Sequence, residues 1–97
     1  MTNINQNKIN NNKSEIVIGY SKLIINLRNL EKNWKYLGSI AKDTELAACV
    51  KSNAYGLGDL EICKKLISLG CKSFFVATHQ EALKIRSKYK NVNIFVL

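Results

Sequence analysis

The sequence predicts an α/β fold, an incomplete (β/α) barrel with an opening strand, the first two β/α units and a following strand. Three observations carry that reading. Short β-branched and aromatic runs, EIVIGY at 15–20, LAACV at 46–50, SFFVAT at 73–78 and NIFVL at 93–97, alternate with amphipathic stretches of helical period. The later runs are almost wholly apolar rather than alternating, as strands buried on both faces of a parallel sheet are. The series closes on an apolar strand, which leaves an edge and two faces wanting neighbours.

Taken in order, residues 1–13 (MTNINQNKINNNK) are asparagine-rich and nearly devoid of apolar side chains. They are expected to be a disordered tail, because they cannot offset their own ordering entropy. Residues 14–97 make up the folded part. Glu15 to Tyr20 reads as the opening strand, and Ser21 stands where a long helix needs an N-cap. Leu23, Leu27, Leu30, Trp34, Leu37 and Ala41 follow 4-3-4-3-4 spacing and share one helical face, opposite Arg28, Glu31, Lys32 and Lys35. Lys42, Asp43 and Thr44 turn the chain into a central strand, Leu46 to Val50. After a loop of small residues, Asp59 is placed as the N-cap of a second helix. That helix buries Ile62, Cys63, Leu66 and Ile67 and stops at Gly70. Ser73 to Thr78 is a buried strand. Thr78 and Glu81 have capping-box spacing and open a third helix with Ala82, Leu83, Ile85 and Tyr89 inward. Asn91 ends it, and Asn93 to Leu97 is the last strand.

Ninety-seven residues, 46% of them apolar, make one small domain or part of a larger one with a modest core. The net charge of +8 invites a nucleic-acid reading. The basic residues, however, are spread over every helix, with Lys32 and Lys35 on the first, Lys64 and Lys65 on the second, Lys84, Arg86 and Lys88 on the third. No basic, aromatic strand of the kind that stacks bases accompanies them, so solvated helix faces are the reading and no nucleic-acid partner is expected. Cys49, Cys63 and Cys71 form no C-x-x-C pair, which argues for reduced thiols and a cytoplasmic protein. The N-terminus lacks the apolar core of a signal peptide, and no run approaches the roughly 20 apolar residues of a membrane span.

The chemistry concentrates in LAACVKSNAYGLG, residues 46–58. A single lysine, Lys51, ends an apolar run, at the C-terminal end of a strand where barrel active sites lie. A lysine buried there would lose hydration of its charged form and become a usable nucleophile, as Schiff-base lysines are. Tyr55 can turn its hydroxyl to the same mouth, and Gly56 and Gly58 permit close backbone approach to an anion ahead of a helix. Together these residues suit a phosphorylated carbonyl cofactor held as an imine on Lys51.

ACVKSNAYGLG resembles the cofactor-lysine motif of the alanine racemases, V-V-K-A-N-A-Y-G-H-G. VIGYSKLIINLRNL resembles that family's opening I-D-L-D-A-I-x-x-N-L-x-x-L, with Asn26 at its asparagine. SFFVATHQEALKIR resembles F-x-V-A-T-x-x-E-A-L-x-L-R, with Glu81, Ala82, Leu83 and Arg86 in step, and NIFVL resembles the I-L-V-L strand that follows. The likeness covers about residues 16–97. It implies that Lys51 holds pyridoxal 5'-phosphate and serves as one of two bases at the Cα of alanine. It implies further that Tyr55 hydrogen-bonds the phosphate and that Cys49 and Leu97 touch the cofactor.

Two positions depart from the family pattern: Leu57 stands for the histidine of G-H-G, and Gly19 for an aspartate of the opening strand. The family's later strands, the arginine facing the pyridine nitrogen and the β domain that lends a tyrosine base to the partner subunit have no counterpart in this sequence. The expectation is therefore a truncated N-terminal part of the barrel domain, inactive alone and dependent on a complementing chain or a homodimer. The alternative is a non-catalytic remnant or a small basic binding module, for which salt-sensitive binding would speak.

Overall fold

The computed structural model of the chain describes residues 4–10, as backbone, and residues 12–97. It is mixed α/β with two three-stranded sheets. The first sheet is antiparallel and runs in chain order through β1 (Ile4–Asn10), β2 (Lys13–Ile18) and β3 (Ser21–Asn26). Helix α1 (Leu27–Ile40) connects it to a parallel sheet of β4 (Ala48–Cys49), β5 (Ser73–Val76) and β6 (Asn93–Val96), again in chain order. A helical turn, α2 (Lys51–Tyr55), and helix α3 (Asp59–Ser68) join β4 to β5, and helix α4 (His79–Lys88) joins β5 to β6.

The parallel half keeps the expected order of strands and helices, whereas the first third of the chain does not. The run after Tyr20 is a strand, not the first turn of a helix. Ile18 pairs with Ser21, so only Gly19 and Tyr20 make the turn, and Gly19 at φ +56° takes the first position of a primed hairpin loop, where glycine has no Cβ to strain. The β-branched pair Ile24 and Ile25 suits the ladder to β2 better than a helix. The true helix cap is Asn26, whose Oδ1 accepts the Arg28 and Asn29 amides at 3.0 and 3.3 Å. Leu23, placed above on the helical face, therefore lies in β3 and is 46% exposed.

The tail expected to be disordered also differs at residues 4–10, which form β1 on the edge of this hairpin, Ile4 opposite Ile18. Residues 1–3 and 11 lie outside the described residues. A ladder asks only for backbone donors and acceptors, and the sequence has no proline to interrupt it.

In the parallel sheet the strand side chains alternate. Phe74 and Val76 are fully buried among Ile62, Cys63, Leu66 and Ile85 of α3 and α4. Phe75 points the other way, is half-buried, and stacks on Phe95 with ring centroids 5.1 Å apart. That second face is not covered by any described element, so the strands are buried on one face rather than both. The capping box forms as read, Thr78 Oγ1 accepting the Glu81 amide and the Glu81 carboxylate accepting the Thr78 amide. Leu83 is a correction: it is 68% exposed, because α4 lays Ala82, Ile85 and Tyr89 inward, three and four residues apart. Asp59 is another. Gly58 takes the N-cap, and Asp59 sits inside α3, 3% exposed, with Lys84 at 2.9 Å.

Replacing Phe74 by alanine should cost about 3–5 kcal/mol of stability, and Leu83→Ala less than about 0.5 kcal/mol. Urea unfolding of the two variants checks the pair, and equal losses would contradict the packing described.

Candidate functional site: the lysine turn at the end of the parallel strands

The expected strand 46–50 shortens to Ala48 and Cys49, paired with Phe74 and Phe75, plus one further hydrogen bond from the Val50 amide to the Phe75 carbonyl at 2.9 Å. The ladder stops because the chain turns at Lys51. This lysine lies at the C-terminal end of β4, half-buried rather than buried as the sequence suggested. The next four residues, Ser52, Asn53, Ala54 and Tyr55, hold φ of +53°, +55°, +55° and +56°, one turn wound left-handed. Each non-glycine residue there costs about 1–2 kcal/mol, least for asparagine.

Local bonds repay part of that strain. The Ala54 amide donates to the Val50 carbonyl at 2.9 Å, the Gly56 amide to Ser52 at 2.9 Å and the Gly58 amide to Asn53 at 2.9 Å. Asn53 Oδ1 accepts the Asp59 amide at 2.9 Å, which stitches the turn to the start of α3. Ala54 is 3% exposed and anchors the turn in the core, where a larger side chain would not fit a close-packed interior. Gly56 and Gly58 at φ +86° and +97° carry the chain out of the left-handed turn. SNAYGLG is thus a backbone specification as much as a set of side chains.

The turn brings three of the candidate residues together. The Tyr55 hydroxyl donates to Cys49 Sγ at 3.5 Å, six residues back and two before Lys51. That bond, helped by the Lys51 amide and charge, holds the Cys49 thiol below its ordinary pKa, while the same bond and burial hold the Tyr55 hydroxyl above its own. Burial works the opposite way on the other two thiols, raising Cys71 and pushing Cys63 up to about 12. Leu97, the fourth candidate, lies at the same end of the sheet but two strands away, its amide bonded to the Val76 carbonyl at 2.8 Å. Cys49, Phe75 and Phe95 stand in register across the uncovered face and lead up to Lys51. An apolar cavity of about 270 Å³ lies between α1 and the turn, lined by Trp34, Leu37, Leu46 and Leu66 and bordered by Cys49 and Tyr55; Lys51 is not among its walls. Among the described residues no cluster of histidine, cysteine and carboxylate side chains is arranged to hold a metal ion.

One residue of the site, Glu81, was read from the sequence as a helix cap and a position of the family motif, but not as part of the site. The Glu81 carboxylate accepts the Ser52 amide with one oxygen, while its other oxygen accepts the Ala77 and Thr78 amides at 2.9 and 3.0 Å. Burial pushes its pKa up, yet these three backbone donors outweigh that and leave it below the usual carboxylate value. Twenty-nine residues separate the partners, so no local pattern announces the contact.

Removing the Tyr55 hydroxyl should raise the Cys49 pKa. In Tyr55→Phe the pH profile of Cys49 alkylation, followed by peptide mass spectrometry, shifts to higher pH, while Cys63 and Cys71 stay slow in both proteins. An unshifted profile would contradict the hydrogen bond.

Residues 25–97 match the family model described as alanine racemase, N-terminal domain. An alanine racemase of Rickettsia prowazekii (strain Madrid E) is 42% identical over 76 residues, 77% of this chain and 19% of that protein. One of Methylobacterium nodulans is 38% identical over 77 residues, 79% of this chain and 21% of the relative. Among solved structures, alanine racemase from Bartonella henselae with covalently bound pyridoxal phosphate superposes with a TM-score of 0.68 at 41% identity, over 72% of this chain and 20% of that one. The chain thus spans about a fifth of the length of these relatives. With its parallel strands, its lysine turn and this match over residues 25–97, the chain belongs to the alanine racemase N-terminal domain family.

Proposed function

We propose that the chain carries the cofactor-lysine part of a pyridoxal-phosphate-dependent alanine racemase, an isomerase interconverting L- and D-alanine for the cell wall in the cytoplasm. The observation that supports this most is the position of Lys51, at the end of β4 and two residues past the Cys49 that takes the Tyr55 hydroxyl, on a turn whose amides are hydrogen-bonded on both sides. The residues present fit the cofactor. An amine stands ready for the aldehyde, an exposed phenol can donate to one phosphate oxygen, and Cys49 with the Phe75–Phe95 row offers an apolar wall for the ring.

When bound, pyridoxal phosphate supplies an electron sink that acidifies the Cα–H of an amino acid. Lys51 does the rest that this chain can do. Its amine would hold the cofactor through the aldehyde group. Lys51 Nζ would also be the base that takes or returns the proton on one side of the Cα of alanine. Tyr55 orients the phosphate end, and Cys49 and Leu97 border the ring.

On the same reading, residues 14–97 are the N-terminal portion of a (β/α) barrel whose further strands join at β6, where Phe95, Val96 and Leu97 are 48, 41 and 71% exposed. Those strands, and the tyrosine acting on the other side of Cα, come from the rest of the protein, from a complementing chain or from a second subunit of a homodimer. A lost general acid or base typically costs about 10²–10⁴-fold in rate.

Mixing the chain with pyridoxal phosphate should give the absorbance change of an aldehyde joined to an amine, and Lys51→Ala should abolish most of it. Equal reaction by the two proteins would remove Lys51 from the site. Alanine racemisation by these 97 residues alone should not exceed that of Lys51→Ala.

A further inference from the structure

We infer that Glu81 is a positioning residue for Lys51: its carboxylate clamps the left-handed turn to the β5–α4 junction and so sets the direction in which the lysine leaves the sheet. The inference deepens the proposed function and rests on it for the role of Lys51, but the clamp itself is a matter of geometry.

Lys51 is bracketed by two amide groups. On the strand side, the Val50 amide is bonded to the Phe75 carbonyl at 2.9 Å. On the loop side, the Ser52 amide is bonded to the Glu81 carboxylate. Both acceptors belong to the same β5–α4 unit, so the Cys49–Val50 and Lys51–Ser52 peptide groups are referred to one rigid body, while the Val50–Lys51 group between them accepts the Ala54 amide at 2.9 Å. The peptide plane between Lys51 and Ser52 has only the Lys51 ψ and the Ser52 φ to turn about. Fixing its N–H fixes that ψ, and with it the course of the chain into Ser52 at φ +53°.

Glu81 is suited to the task. It is the third residue of α4, where the helix dipole favours a negative charge. One oxygen is already held by the Ala77 and Thr78 amides and, at 3.3 Å, by the Thr78 hydroxyl. A charged acceptor so anchored binds the remaining donor more strongly than a neutral one would. A helix cap needs only that first oxygen. The second oxygen, turned toward the next strand end, is surplus to capping and serves the lysine turn.

That division separates the two roles experimentally. Glu81→Gln can keep its amide oxygen on Ala77 and Thr78 but sets an amide nitrogen, a donor, against the Ser52 amide. Thr78→Ala weakens the cap and leaves the clamp. In the wild-type chain the Ser52 amide should exchange with solvent slowly although the residue is exposed. In Glu81→Gln that exchange should quicken by about tenfold or more, and the affinity of Lys51 for pyridoxal phosphate should fall by about tenfold, as for one lost charge-assisted hydrogen bond. Thr78→Ala should lower the melting temperature yet leave both readouts within about twofold of wild type. Unprotected exchange at Ser52 in the wild type, unchanged readouts in Glu81→Gln, or the same losses in Thr78→Ala would each overturn the inference. Should Lys51 take no cofactor in any protein, the proposed function falls while Ser52 exchange still decides the clamp.

Discussion

Four successive non-glycine residues at positive φ, Ser52 to Tyr55, are a conformation the chain does not adopt unaided, and at about 1–2 kcal/mol each their neighbours must supply what the turn lacks. They do so from three directions. Ala54 goes into the core, Asn53 binds the start of α3, and Ser52 gives its amide to Glu81. The packing of α3 and α4 on Phe74 and Val76 therefore also holds the turn, since it fixes the bodies to which the turn is tied. Strain of this kind persists only where surrounding structure over-determines it, and such places are commonly functional.

The turn also explains how a short stretch assembles a site. Left-handed winding brings Tyr55 back over the strand, so that its hydroxyl meets Cys49, two residues before Lys51. A right-handed turn or an open loop of the same length would send the tyrosine elsewhere. Sequence and chemistry are linked here through backbone handedness: the asparagine, the small alanine and the two following glycines make the path feasible, and the lysine and tyrosine use it.

Much of this was legible in the sequence because it is local. Lys51, Tyr55 and Cys49 fall within seven residues, and an apolar run ending in one lysine marks a strand end without tertiary knowledge. The capping box at Thr78 and the order of the parallel strands were readable for the same reason. The hairpin was not. Leu23 happens to continue the helical spacing of Leu27, Leu30 and Trp34, and only pairing with β2 decides for a strand. The backbone ladder of residues 4–10 is likewise silent in a composition dominated by asparagine. Glu81 shows a further limit, since a side chain whose local role is complete gives no hint of a second one 29 residues away.

The account turns on Lys51 being set apart from the other lysines by its place on the turn. Reducing the chain with borohydride in the presence of limiting pyridoxal phosphate, then mapping the modified peptides, measures that directly. The account predicts an adduct concentrated on Lys51. Adducts distributed over Lys32, Lys64, Lys72, Lys88 and the other surface lysines according to exposure, with Lys51 no different from them, would contradict it.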